Sequence, residues 1–403
     1  MKILHTSDWH IGRKIEDKQL NETLEYFFDW LIDTINNNSI DVLIVAGDIF
    51  NNPFPGNNSL SLYYRTLYRL SSTKLKQVII TGGNHDSVST INAPKELLEI
   101  MNISVIGGVT ENIDDLIIKI KNKDEKTELI ICAVPFLREK DLRTSISGSD
   151  YKERINQIGK GIENFYSEIG KKALELNENN VPIIATGHLF VNDVSDMSDE
   201  EKEIFIGGLQ QVSYSQLPDI FDYIALGHIH KPMRVGKRET VRFSGSPIHM
   251  NFGEIRNKNQ VVIIDFSSNE PKVEIVFIPV FRDLLSLKGS FKEIEEKLDS
   301  YNENKQLKAW ASVEVIEDKI DPLMEMKINT IRDTSKNIEI IKLRYTHKDI
   351  QSEIEKKFEK NVSLNDLKPE EIFEHILDDV NEEEKENLLG TFNELVSNFL
   401  YNE

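Results

Sequence analysis

Short apolar, β-branched runs recur through the first half of the chain, at 2–6, 41–46, 77–81, 128–134, 182–186 and 223–226. Most are continuous rather than alternating, as in strands covered on both faces. Between several of them the apolar positions take helical spacing. Leu24, Phe27, Phe28, Leu31, Ile32 and Ile35 make one stripe within 20–36, and 60–70, 94–101 and 151–177 give further helices. Strands alternating with helices predict an α/β layered domain. From Val241 the pattern changes, and 241–244, 261–266 and 273–278 read as strands with no long helix between them. They are expected to complete a second sheet against the first, a four-layer α/β/β/α sandwich over 1–280. A β-α-β-α-β order follows, with strands at 283–287, 310–315 and 338–345 and helices at 291–300 and 324–330. It predicts a small α+β capping domain over 281–347. Residues 348–403 are charge-rich, and two amphipathic stretches, Ile372–Leu377 and Leu388–Phe399, predict a helical C-terminal region on a linker. Those helices either pack on each other or on the body, or dock a partner protein.

Composition narrows the function classes. No apolar run approaches the ~20 residues that span a bilayer. The opening MKILHTSDWH enters a strand without a signal-peptide core, so a cytoplasmic protein with no membrane partner is expected. The single cysteine, Cys132, lies inside an apolar run and reads as core, with no disulfide possible within the chain. A net charge of −20 argues against nucleic acid as a partner, but half of it falls in 351–403. Bound divalent cations and local basic residues can hold DNA on such a chain. No Gly-x-x-x-x-Gly-Lys-Ser/Thr loop occurs, so any ATP hydrolysis belongs to another chain.

The chemistry sits in five polar clusters at the ends of apolar runs: Asp8-Trp9-His10, Gly47-Asp48, Gly83-Asn84-His85-Asp86, Gly187-His188 and Gly227-His228-Ile229-His230. In open α/β sheets, sites form beyond the carboxyl ends of strands. Asp8 and His10, two apart, are expected to share a side. Asn84 offers a neutral oxygen, and His85 beside Asp86 reads as an oriented imidazole. Each cluster alone is weak; a D-x-H or a post-strand Asp is common in solvated loops and helix caps. Five of the nine histidines fall in the clusters, and the joint pattern points to metal ligation. His5, His249, His347 and His375 read as packing or surface residues, with His249 near enough in sequence to a glycine–proline turn to line the site. Nitrogen and oxygen donors without thiolate favour Mn²⁺, Mg²⁺, Fe or Zn in an open site. Two such ions sharing a carboxylate attack phosphate esters with a bound hydroxide. Arg13, Lys14, Asn51, Asn52 and Lys231 flank the clusters and are the candidate DNA contacts, to backbone phosphates.

The set D-x-H, G-D, G-N-H-D, G-H and G-H-x-H resembles that of the calcineurin-like metallophosphoesterases. MKILHTSDWHIG, AGDIF and LGHIHKP, with Ser244-Gly245-Ser246-Pro247 and Asn251-Phe252-Gly253-Glu254, look like the SbcD family of bacterial DNA-repair nucleases. The resemblance is strong over about 1–280 and rests on length and order beyond. It implies one metal on Asp8, His10, Asp48 and His230, a second on Asp48, Asn84, His188 and His228, and Asp48 as the bridge. It implies that His85 assists the leaving oxygen and that Asp86 orients His85. It implies a double-strand exonuclease and single-strand or hairpin endonuclease in DNA end processing, repair and recombination. The implied partners are DNA, an SbcC-like coiled-coil ATPase and a second copy of the chain, in a heterotetramer at the nucleoid. The stretches 60–70 and 94–101 are the candidate dimer surface, and the terminal helices the candidate ATPase dock. The alternatives are a phosphodiesterase of small nucleotides or phosphoesters, and an inactive scaffold of the same fold.

Overall fold

The computed structural model describes residues 1–142, 151–192, 211–236, 238–268, 270–302, 305–317, 326–327 and 337–347. The first strands are β1 (Lys2–Thr6), β2 (Val42–Ala46), β3 (Gln77–Thr81) and β4 (Ile103–Ile106). Next come β5 (Ile117–Lys121), β6 (Thr127–Cys132), β7 (Ile183–His188), β8 (Tyr223–Gly227), β9 (Met233–Arg234) and β10 (Val241–Phe243). They are followed by β11 (Gln260–Asp265) and β12 (Lys272–Phe277). One six-stranded sheet has the order β12-β11-β1-β2-β3-β4, and the other β9-β10-β8-β7-β6-β5.

The continuous apolar runs are strands with two buried faces. In the first sheet Leu4, Leu43, Val45, Val78 and Ile80 pack with Leu24, Phe27, Phe28 and Leu31 of the helix α1 (Asn21–Asn38). The alternate residues Ile3, Val42, Ile44 and Ile79 join a different core with Ile130, Ile131, Ile183 and Ile184 of the second sheet. Helices α2 (Asn57–Ser71) and α3 (Lys95–Ile100) bury Leu62, Leu67 and Leu98 in the first core. The long helix α4 (Tyr151–Glu175) places Ile158, Ile162, Tyr166 and Ile169 in the second. The result is helix, sheet, sheet, helix, the layering the sequence predicts.

One expectation is corrected. Of the three late strands, only β10 joins the second sheet, parallel to β8. β11 and β12 return to the first, where β11 runs antiparallel to β1, pairing Ile3 with Ile264 and His5 with Val262. β1 has β2 on one side only, and Val261–Ile264, apolar on both faces, cover its open edge. Strands at 103–106 and 117–121, unmarked in the sequence pattern, extend the two sheets.

The chain divides into two compact units. One comprises Met1–Leu287, Leu298–Ser312 and Arg332–Lys342; the other comprises Lys288–Lys297, Val313–Ile331 and Leu343–Glu403. Three further strands, Leu284–Gly289, Ala309–Glu317 and Ile338–His347, form a separate sheet, with a helix at Phe291–Ser300. The expected helix at 324–330 lies outside the described residues apart from 326–327, and 348–403 lies wholly outside them. Among the described residues no helix is long and apolar enough to cross a membrane. Cys132 is buried and free.

Candidate metal centre

The clusters converge at the carboxyl ends of β1, β2, β3, β7 and β8. The loops after β1 and β2 are zipped to each other: the amides of Asp8, His10 and Ile11 donate to the carbonyls of Gly47, Asp48 and Ile49 at 3.1, 3.0 and 2.9 Å. Between Asp8 and His10, Trp9 is fully buried against Phe28, which anchors both neighbours. The two do share the site, but not by strand alternation. Asp8, His10, Asp48 and His228 all have positive φ, at 53°, 46°, 50° and 97°. Few non-glycine residues adopt such a conformation, Asp and His more readily than most, and holding them there costs up to about 1–3 kcal/mol each. Four such residues around one point mark where the fold spends stability on geometry.

Glycines allow the close approach. A Cβ at Gly227 would stand 1.9 Å from the Ala46 carbonyl oxygen, and one at Gly83 would stand 2.1 Å from Asp48 Oδ1. The two sheets therefore meet backbone to backbone beside the site.

Asp48 Oδ2 lies 3.4 Å from His10 Nε2 and 3.3 Å from His188 Nε2. On one side, His10 Nε2 is 3.0 Å from His230 Nε2. On the other, Asn84 Oδ1 is 3.0 Å from both His188 Nε2 and His228 Nδ1. Asp8 Oδ1 accepts from the His228 amide at 2.9 Å, and Asp48 Oδ1 from the His85 amide at 3.0 Å. Donor atoms of Asp8, His10 and His230 lie within 4.8 Å of one another, as do those of Asp8, Asp48 and His188. All seven sequence-predicted ligands are thus gathered in one place.

The electrostatics suit cations. Asp8 and Asp48 are almost completely buried. Burial pushes the Asp8 carboxyl up. Burial opposes ionisation of Asp48 as well, but the adjacent His188, with His10 and His85, holds it well below the usual carboxylate range. Burial brings His10 and His228 down to about 3, so both are neutral at pH 7 with a lone pair to give. His188 resists burial through the charge of Asp48 and is raised to about 9. His10 Nδ1 is buried with no hydrogen-bond partner. Buried carboxylates, imidazoles of which His10 and His228 are already neutral, and one amide oxygen, with no thiolate, are a donor set that fits two divalent ions once His188 gives up its proton.

His85 stands beside the ligands, its ring 5.0 Å from that of His10 and edge-on to it. The expectation that Asp86 orients it is corrected. His85 Nδ1 is 2.9 Å from the main-chain carbonyl of Asn51, which can only accept. The Asp86 carboxylate instead accepts from the amides of Gly83, Ile49 and Phe50 at 2.8, 3.0 and 2.9 Å. Three donors leave it no role at the imidazole; it ties the loop after β3 to the loop after β2.

Of the expected DNA contacts, Arg13 adjoins Asn51, which in turn adjoins His85. Arg13 is half-buried, with Nη1 3.4 Å from Asn51 Oδ1 and Nε buried without a partner. Lys14 is exposed, Asn52 turns its side chain to the amide of Phe54 at 3.1 Å, and Lys231 is half-buried after His230. His249 meets the carbonyl of Asn257 rather than the ligand groups. Two groups stand in the family-like motifs with no role read from the sequence: Glu254, whose Oε1 is 2.9 Å from His230 Nδ1, and Ser7, whose hydroxyl bonds to the Asp8 carboxylate. Glu254 and His230 stand 24 positions apart in the chain, and no spacing rule bridges them.

Residues 1–232 match the calcineurin-like phosphoesterase family, and 280–381 match the family described as the type 5 capsule protein repressor C-terminal domain. The SbcD subunit of the nuclease SbcCD from Escherichia coli K12 is 31% identical over 97% of both chains. Its namesakes from Staphylococcus epidermidis and Bacillus subtilis are each 26% identical, over 75% and 78% of this chain and 77% and 79% of theirs. With its ligand clusters gathered at the strand ends and this likeness running nearly end to end, the chain belongs to the calcineurin-like phosphoesterases and, within them, to the SbcD nucleases, metal-dependent hydrolases of phosphate esters.

Proposed function

We propose that the substrate is DNA, cut at its phosphodiester backbone by a centre of two Mn²⁺ ions. Asp8, His10, Asp48 and His230 hold one, Asp48, Asn84, His188 and His228 the other. One observation supports this most: a single oxygen, Asp48 Oδ2, sits between His10 at 3.4 Å and His188 at 3.3 Å, a carboxylate with an imidazole on either side that two ions would share. When bound, two such ions polarise water and neutralise charge on the phosphoryl oxygens.

The chain's own residues supply position and protons. The φ > 0 loops and the Gly83 and Gly227 contacts fix the donors before substrate arrives, the preorganisation that electrostatic catalysis requires. His85 commits Nδ1–H to the Asn51 carbonyl, which leaves Nε2 to exchange a proton with the departing oxygen. Arg13, Lys14, Asn51, Asn52 and Lys231 contact backbone phosphates, so binding is salt-dependent and blind to sequence.

The same reading gives the organisation: 1–280 as the nuclease domain, 281–347 as a DNA-recognition cap, and 348–403 as the dock for an SbcC-like ATPase. Two copies meet through 60–70 and 94–101, where Tyr68, Leu97 and Ile100 are exposed at 68%, 63% and 82%. The location is cytoplasmic, at the nucleoid. Asp48→Ala tests the core of the proposal. The variant is expected to lose both ions and all cleavage of linear and hairpin DNA in Mn²⁺. Two tightly bound ions with residual cutting would refute the bridge.

A further inference from the structure

The segment 244–254 contributes none of the proposed ligands, yet three contacts tie it to two that do, Asp8 and His230. Ser244 Oγ lies 2.8 Å from Ser7 Oγ, the hydroxyl bonded to Asp8. The Ser246 amide donates to the carbonyl of His230 at 3.0 Å. Glu254 Oε1 stands 2.9 Å from His230 Nδ1. The Glu254 side chain is 12% exposed and is itself held. Its Oε2 accepts from the Met250 amide and its Oε1 from Asn251 Nδ2, both at 2.8 Å.

A carboxylate only accepts, so His230 Nδ1 carries the proton and Nε2 presents its lone pair, 3.0 Å from His10 Nε2. The other imidazoles lack this support. His188 Nδ1 faces a neutral acceptor, the Ala46 carbonyl at 3.0 Å, and His10 Nδ1 has no partner. A charged acceptor behind a ligating imidazole fixes its tautomer and raises its basicity, and losing such a partner costs roughly 10–100-fold in metal affinity.

We infer that Glu254 is a positioning residue for His230, and that it tunes the affinity of one of the two metal subsites, the Asp8–His10–His230 side, independently of the other. The inference rests on the two-ion reading above. The two halves of the centre are thus unequal by construction: one is backed by a carboxylate from 244–254, the other by main chain of the first sheet.

The test is calorimetric titration of the metal-stripped full chain with Mn²⁺, comparing wild type with Glu254→Gln. The variant keeps the shape and an oxygen for the Met250 amide. One ion is expected to bind as in wild type and the other about 10–100-fold more weakly. In a His230→Ala background, Glu254→Gln is expected to add nothing further, because its effect passes through that imidazole. Wild-type protein that bound fewer than two ions would overturn the two-ion reading and this inference with it. Two ions in wild type with unchanged affinities in Glu254→Gln would overturn this inference alone. Equal weakening of both ions, or a lower unfolding midpoint of the metal-free variant, would show a structural role and overturn it too.

Discussion

Replacing Gly227 by alanine perturbs the point where the two sheets touch. The new Cβ would stand 1.9 Å from the Ala46 oxygen, with His188 Nδ1 at 2.9 Å and Ser7 Cβ at 3.0 Å. A tolerable carbon–oxygen contact is about 3.3 Å, so β8 and β2 must part by on the order of 1 Å. The obstacle is main chain in the middle of a sheet, not the tip of a flexible side chain. Overpacking of this kind costs about 1–3 kcal/mol. The shift also stretches the 3.0 Å bond between His188 Nδ1 and the Ala46 carbonyl, worth about 1 kcal/mol. Together the loss is ~2–4 kcal/mol. The same movement separates His188 and His228 from Asp48, and a 1 Å misplacement lowers a rate about 10²-fold. Urea unfolding of metal-stripped protein and initial rates on linear duplex DNA in Mn²⁺ measure the two effects. Gly56→Ala is the matched control, since nothing lies within 4 Å of its added carbon and its φ of −70° suits alanine. It is expected to change stability by less than about 1 kcal/mol. A Gly227→Ala protein within 0.5 kcal/mol of wild type (roughly the scatter of neutral surface substitutions) and equally active would refute the backbone contact.

Other outcomes follow from the same geometry. His85→Ala is expected to keep both ions and cut about 10²–10⁴-fold more slowly, whereas Asn51→Ala, which leaves the carbonyl that holds His85, keeps most of the rate at saturating DNA and binds DNA more weakly; metal content by mass spectrometry and cleavage rate against DNA concentration check both. Asp86→Asn removes a charged acceptor from three amides and is expected to cost about 1–3 kcal/mol of stability, read by urea unfolding. pH acts through His188, raised in the metal-free fold to about 9. Its stabilising contribution is complete below the unfolded value near 6.5 and is lost as pH rises through about 9. Metal-free protein should therefore melt lower at pH 9.5 than at pH 6.5 (conditions chosen about half a unit above that value and at the ordinary one). Because ligation displaces that proton, Mn²⁺ affinity should rise across the same interval, with proton release visible in buffers of different ionisation enthalpy.

The candidate ligands were legible because each sits at a strand end or within four residues of one and follows a short-range signal, a glycine or a break in an apolar run. The layering was legible for the same reason: continuous runs such as Val42–Ala46 demand cover on both faces. What sequence could not carry was partnership at a distance. Val261–Ile264 suits either sheet by pattern, and only the open edge of β1 decides. Asp86 is next to His85 in the chain yet serves the loop after β2. Glu254 and the Asn51 carbonyl lie against imidazoles that their positions in the chain do not point to. The left-handed backbone at Asp8, His10, Asp48 and His228 is equally unreadable, since Asp and His tolerate that conformation but do not require it.

The late strand β11, closing the edge of β1, has a consequence for synthesis on the ribosome. Strand β1 must wait for residues 260–265 before its last neighbour exists, and the candidate ligands run from Asp8 to His230. A nascent chain that has emerged only as far as His230 therefore holds every candidate ligand while the edge of the strand leading to Asp8 and His10 is still open.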